Sequence, residues 1–438
     1  MNPLAAELNV IIEGASPALF AALSALGREL FYPKGILTQT AEAREKAYRY
    51  DATIGIARSG GEAMHLGIIM DHFNVLAPDQ VLDYAPSMGN AALRAAWLKD
   101  MLAKNPSLAG LPTSLPVVTS GITHGLTISA ELFCDPGDVV ILPDKYWGNY
   151  NMVYGTRRGA DIRCFELFDG SGGFNVPALA RGLDSALDEK GKALLVLNFP
   201  NNPTGYSIRK GEADALVETL TKAAGPGRLL VVVLDDAYFG LFYEDDVLAE
   251  SLFGRLAGAD EHLIPVKLDG ATKEEYAWGL RVGFITFGVA AGGREQDVHQ
   301  ALEKKVGGAV RGNISNCSQL GQSLLLAALS HERFGAQREE KFLLMKQRAL
   351  AVREALSNPA YDEVWEPYPF NAGYFMCLRL KGIDAETLRS ALLENYGVGV
   401  IADGGTDVRI AFSCLETEEI GDLFDIIYRC ASELKANA

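Results

Sequence analysis

Two stretches of the chain, KALLVLNFP (residues 192–200) and RLLVVVLDDAY (residues 228–238), are apolar along most of their length. A strand with one wet face alternates apolar and polar residues, so an unbroken apolar run marks a strand covered on both faces. Between the two lies KGEADALVETLTKAA (residues 210–224), whose apolar spacing is helical. Strand, helix and buried strand in succession form a parallel pair with a crossover helix. The pattern recurs upstream, with helical AALRAAWLKDMLAKN, the short strand LPVVTSG, helical THGLTISAELFC and the strand DVVILP. The expected fold class is therefore α/β, with a large domain built on a mostly parallel sheet covered by helices.

The chain's two ends read differently. Residues 15–50 carry helical periodicity, and ATIGIARSGG (residues 52–61) suggests a strand ending in a glycine turn. From Ser318 the spacing predicts one long helix to about residue 357, followed by strands at YFMCLRL and VRIAFS and a closing helix TEEIGDLFDIIYRCASEL. These would make a small α+β domain. With 438 residues, the chain is long enough for both.

Composition narrows the function. A formal charge of −16 without a Lys/Arg cluster argues against a nucleic-acid partner, while leaving small anions open. The six cysteines are widely spaced and form no CxxC pair, and no HExxH or Cys/His cluster points to a metal. No apolar run is long enough to span a bilayer, and the N-terminal stretch lacks the pattern of a secretory signal, so a cytoplasmic protein is expected.

In an open parallel sheet, ligands bind beyond the carboxyl ends of the strands. After LPVVTS comes GITHG, where Gly121 and Thr123 either serve the turn or cradle a phosphate at a helix N-terminus. After VVILP comes DKYWGNY, in which Trp147 belongs either to the core or to a flat ligand. After LLVLNFP comes NNPTG, a turn whose Asn202 amide can bond a ligand oxygen. After RLLVVVL comes DDAY, where Asp235 either caps a helix or faces a cation. DGATKEEYAWGLRVG then sets Lys273 eight residues before Arg281. Pyridoxal 5′-phosphate answers all five signals, having a phosphate, a flat ring, a phenolic oxygen, a ring nitrogen that needs an anion and an aldehyde that needs a lysine.

NNPTG, DDAY and the lysine to R-V-G spacing, in that order, resemble the fold-type I pyridoxal-phosphate aminotransferases. YWGNY and VRGNISN are similar to the aspartate and aromatic amino-acid branch. The resemblance implies that Lys273 bonds the cofactor's aldehyde and shuttles the substrate proton. Asp235 would pair with the pyridine nitrogen, and Tyr238 and Asn202 would bond the phenolic oxygen. It places Trp147 on the ring and Gly121, Ile122, Thr123, Thr272 and Arg281 at the phosphate. Tyr84 corresponds to a tyrosine contributed by the partner subunit, which implies a homodimer with shared sites. For substrate, it implies Arg409 on the α-carboxylate and Arg311, reaching across the dimer, on a side-chain carboxylate, with Ile56, Ala57 and Asn202 alongside. Four features depart from the family pattern: Gly270 replaces a serine, His124 a small residue and Ala57 a glycine, and SNCS (315–318) stands where SNPP often follows the distal arginine.

The implied domains are an N-terminal arm with part of the small domain (1–60), the large cofactor-binding domain (61–325), and a connecting helix with the C-terminal small domain (326–438). The implied activity is ping-pong transamination between a dicarboxylic or aromatic L-amino acid and a 2-oxo acid such as 2-oxoglutarate. A C–S lyase on the same fold is the alternative.

Overall fold

The computed structural model describes residues 1–33 and 35–436. Its central sheet has seven strands: β1 (Val117–Thr119), β2 (Val139–Pro143), β3 (Asp161–Phe165), β4 (Lys192–Asn198), β5 (Leu229–Asp235), β6 (Leu263–Gly270) and β7 (Gly283–Phe287). They lie in the order β1-β7-β6-β5-β4-β2-β3. Neighbours are parallel except around β7, which runs antiparallel to both β1 and β6. Along β4 the side chains alternate between two cores: Leu194 and Val196 pack on one face, Ala193, Leu195 and Leu197 on the other. Full burial of side chains of this size stabilises by about 1.5–3 kcal/mol each, which is why these central runs contain no exposed register.

The helices α1 (Ile36–Lys46), α2 (Ala91–Lys104), α3 (Ile122–Phe133), α4 (Val176–Lys190), α5 (Lys210–Ala223), α6 (Glu295–Asn313), α7 (Gln319–Leu329), α8 (Phe334–Leu356) and α9 (Ile420–Ala436) surround two sheets. The second sheet is antiparallel, in the order β8-β9-β11-β10, from β8 (Trp365–Pro367), β9 (Met376–Leu380), β10 (Ile401–Asp403) and β11 (Asp407–Ile410). An early segment belongs beside it, since Tyr50–Asp51 pairs in parallel with Val398–Gly399.

Three expectations from the sequence are corrected. The helical stretch from Ser318 is two helices, because Ser330 N–H bonds Leu326 O and His331 N–H turns tightly onto Ala328 O, ending α7. The helical periodicity of residues 15–50 is realised only in part, among the described residues as Pro17–Ala22, Ala25–Glu29 and Ile36–Lys46, and the stretch closes on the strand Tyr50–Asp51. The segment ATIGIARSGG is mostly irregular: the Ile54 and Ile56 carbonyls accept from the Cys414 and Ser413 side chains, not from a neighbouring strand. Its one strand, Arg58–Ser59, pairs with Glu62–Ala63.

Under the sheet's carboxyl edge, β6 carries a buried cation. Lys267 Nζ lies 2.8 Å from Asp236 and 2.7 Å from Asp269. Ser251 Oγ donates to Asp236 at 2.6 Å and Trp97 Nε1 to Asp269 at 3.1 Å, while the Trp97 ring stacks on Phe284 at 4.3 Å. Burial opposes the lysine's charge, but the two carboxylates outweigh it and raise its pKa. Removing one partner of such a group leaves uncompensated charge in the core. Lys267→Ala is expected to destabilise the chain by about 3–5 kcal/mol, read as a lower urea midpoint in equilibrium unfolding.

Candidate active site

A cavity of about 480 Å³ opens beyond the carboxyl ends of β4 and β5. The last residues of these strands, Asn198 and Asp235, line it, as do Asn202, Ala237 and Tyr238 from the turns that follow. Beyond β6 a single turn, Ala271–Glu274, presents Thr272 and Lys273. Trp147 and Tyr150 enter after β2, and Ile122 and Thr123 from the start of α3. The small sheet contributes Arg409 from β11 and Phe375, the residue before β9.

Asp235 is buried and Lys273 half-buried, both facing the cavity, and the cost of withdrawing charge from water moves their pKa values toward each other. Burial pulls Lys273 down to about 8; Asp235 opposes that shift and Arg281 adds to it. Burial pushes Asp235 up to about 6, against the pull of the Tyr150 hydroxyl and Lys273. Tyr150 donates to Asp235 at 2.6 Å and Ala237 N–H at 3.2 Å, while the Asn198 amide fixes the Asp235 carbonyl at 2.7 Å. Lys273 Nζ stands 5.0 Å from the Tyr238 ring centre, and Tyr374 holds the Lys273 carbonyl at 3.1 Å. The next two residues, Glu274 and Glu275, do not line the cavity; they form a buried cluster with Asp100, Lys104 and Arg338 that anchors this turn.

At one pole, the Arg281 guanidinium lies against Gly121, where a Cβ would push it aside, and Gly121 has φ +75°. Arg281 itself has φ +53°, a left-handed conformation that costs energy in a non-glycine residue and is held by its surroundings. Thr272 Oγ1 is buried with no hydrogen-bond partner among the described residues. Gly270 has a packing reason: a Cβ there would stand 2.7 Å from both Gly283 Cα and Val282 O, so β7 excludes the serine. His124 turns inward on its own turn, its Nδ1 accepting from Ser120 N–H at 3.1 Å. That bond leaves the proton on Nε2.

At the other pole, Arg409 is buried, donating to Asn202 at 3.0 Å and to the Thr53 carbonyl at 2.7 Å, with its guanidinium 4.3 Å from the Phe375 ring centre. Its Nε has no partner among the described residues. Buried donors left unpaired are costly, so both poles are built for an anion.

The structure thus brings together Gly121, Ile122, Thr123, Trp147, Asn202, Asp235, Tyr238, Thr272, Lys273, Arg281 and Arg409. Two residues expected in this site, Ile56 and Ala57, lie outside the cavity, and Tyr84 and Arg311, both expected to reach a partner's site, lie outside their own chain's cavity as well. Ile56 and Ala57 are displaced by register: Ile56 O accepts from Ser413 and Ala57 is fully buried, so Ile54 and Gly55 form the wall. Tyr84 is 90% exposed, and Arg311 sits on α6, donating to Ser315 Oγ at 2.6 Å. Sequence reasoning missed Tyr150 and Asn198, although each follows the rule that gave Trp147 and Asp235, a polar group at or just after a strand end. It also missed the wall from the N-terminal segment: Tyr32, Ile36, Leu37, Thr40, Ala41 and Arg44.

The sequence profile of the family described as aminotransferase class I and II matches residues 48–427. The chain belongs to that family. Among its relatives, a probable N-acetyl-LL-diaminopimelate aminotransferase of Bacillus subtilis (strain 168) is 25% identical over 77% of this chain and 78% of its own length. An aspartate aminotransferase of Bacillus sp. (strain YM-2) is 25% identical over 58% of this chain, and the match spans 60% of that relative. In fold, the chain is similar to a crystal structure of an aminotransferase from Anaerococcus prevotii DSM 20548, with TM-score 0.80 and 21% identity over 91% of this chain and 97% of that one. An aromatic amino acid aminotransferase from Burkholderia cenocepacia J2315 superposes with TM-score 0.74 at 22% identity, over 94% and 99%.

Members of the family are transferases that use pyridoxal 5′-phosphate, and the cavity fits that cofactor. The unpaired Thr272 hydroxyl and Arg281 suit a phosphate, Asp235 suits a ring nitrogen, and Lys273 suits an aldehyde. Only the unprotonated lysine attacks an aldehyde. Covalent capture of pyridoxal 5′-phosphate by the cofactor-free chain is therefore expected to speed up as pH rises and to level off above about 8, the Lys273 value, when followed by borohydride trapping and peptide mass. Gly121→Ala, which collides with Arg281, is expected to weaken cofactor affinity about 10-fold or more in equilibrium titration.

Proposed function

We propose that the protein is a ping-pong transaminase that takes the amino group of a dicarboxylic or aromatic L-amino acid and passes it to a 2-oxo acid such as 2-oxoglutarate. The observation that carries this reading is the enclosure of Lys273 and Asp235 in one cavity, each pKa displaced toward neutrality by burial.

Bound pyridoxal 5′-phosphate supplies an aldehyde that takes the amino group and a conjugated ring that accepts the electrons left when the Cα–H bond breaks. The chain's own groups do the rest. Lys273 Nζ, with a pKa near 8, exists partly as the free amine at neutral pH and takes the proton from the substrate Cα. Asp235, oriented by Tyr150, supplies the negative charge that keeps a ring nitrogen protonated. Tyr238 and Asn202 would offer donors to the cofactor's phenolic oxygen, and Trp147 would pack on its ring. Arg409 holds the substrate α-carboxylate through its guanidinium, already aligned by Asn202 and Thr53. That grip sets which Cα bond faces Lys273 and favours proton removal over loss of the carboxylate. Tyr84, exposed in its own chain, would reach the phosphate of a second subunit in a homodimer.

Single-turnover mixing of the cofactor-loaded protein with aspartate, glutamate or phenylalanine should convert the cofactor stoichiometrically to its amine form and release one 2-oxo acid. Lys273→Ala is expected to slow that step by at least about 10²–10⁴-fold. Release of a sulfur product from a cysteine-like substrate, without conversion of the cofactor, would point to lyase chemistry instead.

A further inference from the structure

The cavity lining holds four cationic side chains, Lys273, Arg281, Arg409 and Arg44, against one acidic side chain, Asp235. Three of the cations have work within the cofactor and α-carboxylate positions described above. Arg281 is pressed against the Gly121 turn, and Arg409 is bonded to Asn202 and Thr53. Arg44 has no such role. It is exposed and makes no hydrogen bond or ion pair among the described residues. Its helix neighbours differ, since Glu42 pairs with Lys46 at 3.0 Å and with Arg389 at 3.0 Å.

Resting on the transaminase reading above, we propose that Arg44 binds the side-chain carboxylate of a dicarboxylic amino donor, from within the same chain. The helix that carries it is fixed in place. Gln39 on α1 donates to Ala402 O at 3.1 Å and accepts from Ala402 N–H at 2.9 Å, a two-way clasp onto β10 of the small sheet. Arg44 and Arg409 are thereby carried by elements that pack together, so a substrate gripped by one is presented to the other by a common frame. Tyr32, Ile36 and Leu37 from the same segment add apolar wall for the methylene groups between two carboxylates. An arginine with free donors at the mouth of a cavity gives a carboxylate two parallel hydrogen bonds. Arg311, the other arginine suited to this task by resemblance, is held to Ser315 and lies outside its own chain's cavity.

The test compares wild type, Arg44→Gln, Arg44→Lys and Arg311→Gln as cofactor-loaded proteins. Calorimetry measures binding of succinate and of butyrate, which differ by one carboxylate. Stopped-flow absorbance measures the half-reaction with aspartate, glutamate, alanine and phenylalanine. The expected result is that Arg44→Gln lowers the succinate-to-butyrate affinity ratio, and the dicarboxylic-to-monocarboxylic ratio of kcat/KM, by about 10- to 100-fold, with partial retention in Arg44→Lys. A selective loss in Arg311→Gln with unchanged ratios in Arg44→Gln would overturn the proposal, as would an equal fall for every ligand in Arg44→Gln. If no amino acid converts the cofactor in wild type, the transaminase reading fails by itself, and the succinate-to-butyrate ratio still decides the role of Arg44.

Discussion

A carboxylate at the end of a strand buried on both faces has no water to stabilise it, and Asp235 is in that position. Its charge survives through what surrounds it: a Tyr150 hydroxyl, the Ala237 N–H and the Lys273 ammonium all favour the ionised form, against a cost of burial larger than the effect of any one of them. Lys273 meets the mirror-image problem, since the same burial favours its neutral amine. The two groups sustain each other, and the parallel sheet brings them together by ending β5 and β6 at one edge.

The site is also a seam between the two sheets. Arg409 on β11 donates to Asn202, which follows β4, and to the Thr53 carbonyl in the segment after the Tyr50–Asp51 pairing. These bonds orient the guanidinium and tie the small sheet, the large sheet and the N-terminal segment to one point. The left-handed backbone at Arg281 and the glycine beside it show the same economy at the opposite pole: conformational strain is accepted where a side chain must face a ligand.

How much of this was legible in the sequence depended on local signals. The apolar runs of β4 and β5 announced a parallel sheet, and polar residues at strand ends located most of the cavity. β6 was hidden because Lys267 and Asp269 interrupt its apolar pattern, and their pairing with Asp236 is a tertiary fact. The irregular path of residues 52–57 was illegible for a similar reason. Its carbonyls are satisfied by Ser413 and Cys414, far along the chain, which shifts the cavity wall to Ile54 and Gly55. The contribution of α1 had no local signature at all, because it follows from how the helix clasps the small sheet through Gln39.

Asp235 and Asp236 are adjacent and chemically identical, yet Asp235 ends β5 and Asp236 is the first residue beyond it, and their side chains go to different partners. One carboxylate meets the cavity; the other closes a buried ion triad with Lys267 and Asp269. Selection therefore acts on the two letters of a single doublet through unrelated phenotypes. On the role proposed for Asp235, loss of the first is expected to yield an abundant but inert protein, while loss of the second, by leaving Lys267 short of a partner, is expected to deplete the protein itself. A survey of natural or laboratory variants that scored only growth would merge the two positions, whereas one that scored cellular abundance separately would pull them apart.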